Sequence, residues 1–189
     1  MPVFKRRIDA KIQKAMRSPR TEANITKKAD LAVKRAKKML FDDIDMDPVS
    51  IKINSDPETK GLYGFEPTET PVENLKGVIN RRTELNRKPR KRVKNKKAEY
   101  TYNIKFPAAR DIYSEPVLTL PWISKTWVEY VEKGISGVER FVFKRGKGRS
   151  EFGVQYRGNI NNTVSPLQDN NYIKRIRGYF SENLRRTGL

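Results

Sequence analysis

The sequence has no cysteine and no histidine, and its 22 acidic residues fall far short of its 41 lysines and arginines, leaving a formal charge of +19 over 189 residues. These absences exclude a Cys/His zinc site, a disulfide framework, Cys-His and Ser-His-Asp nucleophiles, and a histidine pH switch. Carboxylate, lysine or serine chemistry is left, or no chemistry at all. Apolar residues are scarce too, at 36% against 33% charged, and the mean hydropathy is -0.80. Such a chain builds a modest core and keeps much of its length in solvent or against a partner. No apolar run approaches the ~20 residues of a membrane helix, and the basic start Met1-Pro-Val-Phe-Lys-Arg-Arg7 lacks the apolar stretch of a signal peptide. No membrane partner is therefore expected. The length suits one domain, and the excess of positive charge points to a polyanion or an acidic neighbour.

Periodicity supplies the elements. Ile8, Ile12, Ala15 and Met16 share a helical face that Ser18-Pro19 should stop, giving a basic arm over residues 1–20. Thr21 and Glu22 open a longer helix with Ile25, Ala29, Ala32, Val33, Ala36 and Leu40 on one stripe and Lys and Arg opposite. After the acidic residues Asp42 to Asp47, the alternation of Val49, Ile51 and Ile53 predicts a strand. Residues 54–71 predict a loop, with Pro71 in the first turn of a short helix that carries Val72, Leu75, Val78 and Ile79. Residues 81–97 hold ten Lys or Arg against one Glu, which predicts an extended or disordered basic loop.

Tyr100, Tyr102, Ile104 and Phe106 alternate as a strand. Leu120-Pro121-Trp122 should open a helix in which Trp127, Val128 and Val131 cluster, ending at Gly134. Phe141 and Phe143 predict one strand of a hairpin, Gly146 to Ser150 its turn, and Phe152, Val154 and Tyr156 the other strand. A closing helix should start near Asp169 and bury Tyr172, Ile173, Ile176, Phe180 and Leu184. Strands and helices that do not alternate regularly indicate α+β: a long N-terminal and a C-terminal helix packed on a small antiparallel sheet, with residues 21–189 as one domain. Trp122, Trp127, Phe152 and Phe180 are the expected packing centre.

Several motifs carry chemistry on paper. Asp43-x-Asp45-x-Asp47 opens like an EF-hand loop, but Pro48 stands where glycine is needed and Asn54 where a bidentate Glu belongs. The nine acids of residues 42–73 face only Lys52 and Lys60 in sequence, which suggests an intermolecular partner for them. Gly146-Lys-Gly-Arg-Ser150 lacks the Walker spacing and a following helix. Glu129 and Glu132 lie three apart on a helix and read as a solvated face. The densest signal is the run from Arg87 to Lys97, in which Arg87, Lys88, Arg90, Lys91, Arg92, Lys94, Lys96 and Lys97 are candidate contacts to a partner or to nucleic acid. Tyr100 and Tyr102 beside it can stack on single-stranded bases or form half of a core.

From Phe106-Pro107 onward the order of features becomes distinctive. A helix opens with Leu120-Pro121-Trp122 and closes with Glu132-Lys-Gly134-Ile135-Ser136, a hairpin contains Gly148-Arg149-Ser150-x-x-Gly153-Val154, and a final helix has an aromatic and aliphatic face. Earlier, Gly61-Leu-Tyr-Gly64-Phe65-x-Pro67 precedes the helix of Val72 to Ile79. Over roughly residues 22–185 this pattern resembles the small neck, head-tail joining and tail-completion proteins of tailed bacteriophages. The resemblance implies a ring of protomers in the virion, at the neck or the head-proximal end of the tail. Its implied partners are portal, neck or tail-tube proteins and the packaged DNA, with no catalytic residue, cofactor or metal. The basic loop at about residues 83–97 and the N-terminal arm are longer or more charged than that pattern requires. The competing expectation is an RNA-binding protein of ribosomal type, which charge and composition fit equally well.

Overall fold

Four of the helices begin with a polar residue followed by proline. Proline at the first helical position costs no backbone bond, because that N–H has no partner inside the helix, and the residue before it is held extended. In the computed structural model, which describes residues 18–94, 97–120, 124–133, 141–142, 154–155 and 167–188, this signal recurs at Ser18-Pro19, Asp47-Pro48, Asp56-Pro57 and Thr70-Pro71. The first opens α1 (Pro19–Met46), whose Ser18 side chain accepts from the Thr21 N–H at 3.2 Å. Ser18-Pro19 thus starts the long helix, and the proposed arm helix before it lies outside the described residues. The acids after Leu40 continue the helix instead of following it.

The same signal overturns the strand expected over Val49 to Ile53. Asp47 accepts from the Val49 N–H at 3.0 Å and Pro48 begins α2 (Pro48–Ser55), so Val49, Ser50 and Ile53 are buried at helical spacing while Ile51 is 49% exposed. Residues 54–71 are not all loop either. Asp56 caps α3 (Pro57–Tyr63), accepting from the N–H groups of Glu58 and Thr59. Gly64, at φ 69°, ends it in the left-handed conformation that glycine adopts without penalty. The Gly64 turn directs Phe65 back onto the core, where its ring stacks on Tyr63 at 6.3 Å. The next helix, α4 (Pro71–Arg82), buries the expected Val72, Leu75, Val78 and Ile79.

The architecture is α+β, with long N- and C-terminal helices and small antiparallel two-stranded ribbons. β1 (Glu84–Leu85) pairs with β4 (Ile104–Lys105), and between them β2 (Arg90–Lys94) pairs with β3 (Lys97–Thr101). The expected strand over Tyr100 to Phe106 is therefore divided between two ribbons. The basic run is no loop: a ribbon sends alternate side chains to opposite faces, which halves the number of cations on either side and satisfies the backbone. Short α5 (Ala109–Tyr113) and a single 3-10 turn at Pro116–Leu118 lead to α6 (Trp127–Lys133). That helix starts at Trp127 and not at Leu120, because Thr119 and Thr126 bridge and the Leu120 N–H donates to the Lys125 carbonyl at 3.0 Å.

β5 (Phe141–Val142) pairs antiparallel with β6 (Val154–Gln155), as the expected hairpin requires, with Phe141 opposite Gln155 and Val142 opposite Val154. Phe143, Phe152, Tyr156, the turn Gly146 to Ser150, the end of the helix at Gly134 and Trp122 lie outside the described residues. The final helix, α7 (Tyr172–Arg186), follows Asn171, so Asp169 lies outside it and accepts from the Asn171 N–H at 2.9 Å. Tyr172, Ile173, Ile176 and Phe180 are buried as expected, and Leu184 packs at the edge of the core.

The core is chiefly helix against helix. α7 runs back along the C-terminal half of α1 and onto α2: Asn183 donates to Asp43 at 2.7 Å, Arg175 to Asp47, and the hydroxyls of Ser50 and Tyr172 share a bond of 2.8 Å. Trp127 is 1% exposed with its ring 6.1 Å from Tyr172, and Phe180 stacks on Phe106 at 4.8 Å. Both described members of the expected packing centre are therefore inside. Among the described residues, no helix is long and apolar enough to cross a membrane.

Candidate functional site

The basic ribbon is held at its root by a half-buried cation. Lys37, on α1, donates from Nζ to the carbonyls of Asn80 and Thr83, both at 2.8 Å, and to Asn80 Oδ1 at 3.3 Å. Those carbonyls belong to the last turn of α4, where a helix presents unpaired acceptors and the negative end of its dipole. Burial lowers the Lys37 pKa, and nearby Glu84 partly offsets this. The contact fixes the point at which α4 passes into β1, and so where the ribbon leaves the body.

Register then separates the cations. Lys91 stands opposite Tyr100 and faces inward: its Nζ lies 5.1 Å from the Tyr100 ring centre and 3.7 Å from Glu22 of α1. On the same side the Tyr102 hydroxyl bonds Thr26 Oγ1 at 2.9 Å, and Arg87 reaches Asp30 at 3.6 Å. Glu22, Thr26 and Asp30 recur every four residues, so one side of α1 receives the ribbon. Arg90 and Arg92 lie on the opposite face with Thr101 and Glu99, exposed to solvent, and among the described residues they have no ion-pair partner. Lys94 and Lys97 are opposite one another in register. Their side chains, and Lys96, lie outside the described residues. Arg87 and Lys88 are exposed at the ribbon's root.

The eight basic candidates therefore do not form one surface. Arg90 and Arg92 share the outer face, Lys91 serves as an anchor, and Arg87 borders a groove of about 530 Å³ together with Glu22, Thr26, Lys27 and Asp30. The two tyrosines proposed for base stacking face α1. A second cationic surface follows on α1 itself, where Lys27, Lys28, Lys34, Arg35 and Lys38 are exposed around Leu31. Its only signal in the sequence is the polar side of the helical stripe.

Most of the acids expected to seek a partner are bonded inside the chain. Lys76, 7% exposed, binds Asp45 at 2.5 Å and Glu73 at 2.7 Å. Its pKa is raised: burial, the largest influence, lowers it, but the bonds to the two carboxylates outweigh burial. Asp47 takes Arg175 in a forked pair at 2.9 and 3.0 Å and also accepts from the Tyr179 hydroxyl. Carboxylates that could serve general acid-base chemistry are likewise engaged. Glu132 accepts from the Ile173 N–H at 2.7 Å and from the Tyr113 hydroxyl, capping α7 in place of Asn171, which makes no side-chain cap bond. Glu129 pairs with Lys133 at 2.7 Å. Glu115 holds Arg81 and Arg82. Among the described residues, no group of three or more acids is placed to hold a metal ion.

No family model matches the chain, and no curated protein or solved structure matches it either.

Proposed function

We propose that the chain is a structural protein of a tailed-bacteriophage virion, a ring-forming neck or tail-completion component at the head-tail junction. The observation that carries this reading is where the motif residues fall. Tyr63 and Phe65 of the Gly61 to Pro67 segment, the Val72 to Ile79 face and Trp127 meet in a single core. These described parts of the resembling segments thus lie in the core, which leaves the surface free to carry contacts. Arg90 and Arg92, outward on a ribbon anchored by Lys37 and Lys91, supply a cationic arm for a portal, neck or tail-tube protein.

The RNA-binding reading rests on charge and composition, with Tyr100 and Tyr102 as its candidates for base stacking. Lys91 lies over the ring of Tyr100, and Tyr102 is bonded to Thr26, so the ribbon offers single-stranded bases no aromatic platform from these two residues. Electron microscopy of the purified full chain tests the proposal. Annular particles of uniform diameter, free of RNA, are the expected images; dispersed monomers carrying RNA would contradict it.

A further inference from the structure

The exposed side of α1 presents five cations within three turns. Lys27, Lys34 and Lys38 follow one another at spacings of seven and four residues, and Lys28 and Arg35 flank them seven apart. At about 1.5 Å of rise per residue the row from Lys27 to Lys38 is ~16 Å long. All five are exposed, and among the described residues their side chains form no ion pair or hydrogen bond. Five like charges on one helical face repel one another and destabilise the helix, so the row calls for an external anion.

The densest acidic block of the chain does not offer the complement. Within residues 42–73, Asp43, Asp45, Asp47, Asp56, Glu69 and Glu73 are bonded to side chains or backbone N–H groups of the same chain. Asp42, Glu58 and Glu66 are exposed but scattered over α1, α3 and the segment after it. A second copy therefore lacks, in this block, an acidic row to set against the five cations.

We infer that this face of α1 is a second binding site, distinct from the ribbon, and that it binds the phosphate backbone of double-stranded DNA without reading sequence. A regular row on a straight rigid helix suits the regular charge of a duplex, which carries about one phosphate per 1.7 Å of axis. Leu31 is the only apolar side chain at the centre of the row, and no aromatic lies in it, so bases of a single strand gain no stacking there. This inference does not depend on the ring reading, since a monomer would present the same face.

The test uses the full chain, a mixed-sequence DNA duplex labelled at one end, the corresponding single strand, and polyglutamate as a protein-like polyanion. Affinity is measured by fluorescence anisotropy from about 50 to 200 mM salt, where each phosphate contact contributes roughly 0.9 to the slope of log affinity against log salt. Lys27→Gln/Lys34→Gln/Lys38→Gln should reduce the duplex slope by about 2 to 3. Lys52→Gln/Lys174→Gln/Arg185→Gln, which removes the same charge elsewhere on the surface, should leave the slope within about 0.5 of the unsubstituted chain. Equal losses from the two triple variants would overturn the inference, because net charge alone would then explain binding. Tighter binding of the single strand or of polyglutamate than of the duplex would also overturn it, in favour of RNA or an acidic protein. Circular dichroism of both variants establishes that the helix is intact.

Discussion

Arg175 reaches from the last helix to Asp47, at the junction of α1 and α2, and forms a forked pair with a carboxylate that is fully buried. The pair joins residues 128 positions apart. Asp47 also caps α2 through the Val49 N–H and accepts from Tyr179, so one side chain closes a helix and docks another. Asp47→Ala should lower the unfolding free energy by about 3 to 5 kcal/mol, the cost of stranding a charged partner and losing a cap. Asp47→Asn should cost less, because the amide still accepts at one oxygen. Urea titrations of both variants check the order.

The same junction shows how far the sequence was legible. Helical stripes were plain in α1, α4 and α7, because apolar residues at spacings of three and four leave little choice. Val49, Ile51 and Ile53 misled, since three alternating aliphatics mimic a strand. The deciding information was Asp47-Pro48, a cap followed by a proline that fits only the first turn. The ribbon was hidden for a different reason: cations mask strand periodicity, and only the partner strand shows that Arg90 and Arg92 point one way and Lys91 the other. The pairs Asp45–Lys76 and Asp47–Arg175 link distant segments, and nothing local announces them.

Acid should unfold the protein through carboxylates that are held ionised. Bonds from Thr59, its hydroxyl first, hold Asp56 below the usual carboxylate range. Burial alone would raise Asp169, but the Asn171 N–H and Arg175 outweigh it and bring it below that range as well. A depressed folded-state pKa stabilises fully above the unfolded value of about 3.9, and the stabilisation is lost as pH falls through the folded value. Stability should therefore be level above about pH 5 and decline below it. Asp169→Asn should flatten that decline; a variant with the unsubstituted pH profile would remove Asp169 from the explanation.

Trp127 is 1% exposed, and its buried indole N–H has no hydrogen-bond partner among the described residues. Trp127→Ala should cost ~3 to 5 kcal/mol through the cavity it leaves beside Tyr172. Trp127→Phe should cost only about 1 to 2 kcal/mol, because no hydrogen bond is lost with the indole. Equal losses in the two variants, read from thermal or urea melts, would place the energy in the indole N–H instead of in packing.

The ribbon's two faces should separate stability from contact. Arg90→Ser/Arg92→Ser removes exposed groups without an ion-pair partner among the described residues, and should change stability by no more than about 0.5 kcal/mol. Tyr102→Phe breaks the bond to Thr26 and should cost about 1 kcal/mol. Calorimetry of each variant gives the comparison, and a large loss in the arginine variant would mean that the outer face packs against the body.

Assembly is the central claim, and native mass spectrometry of the full chain tests it most directly. The account predicts one discrete species at a single whole multiple of the 22.0 kDa protomer, free of RNA. A protomer that stays at 22.0 kDa at every concentration, or a ladder of masses with bound RNA, would contradict it.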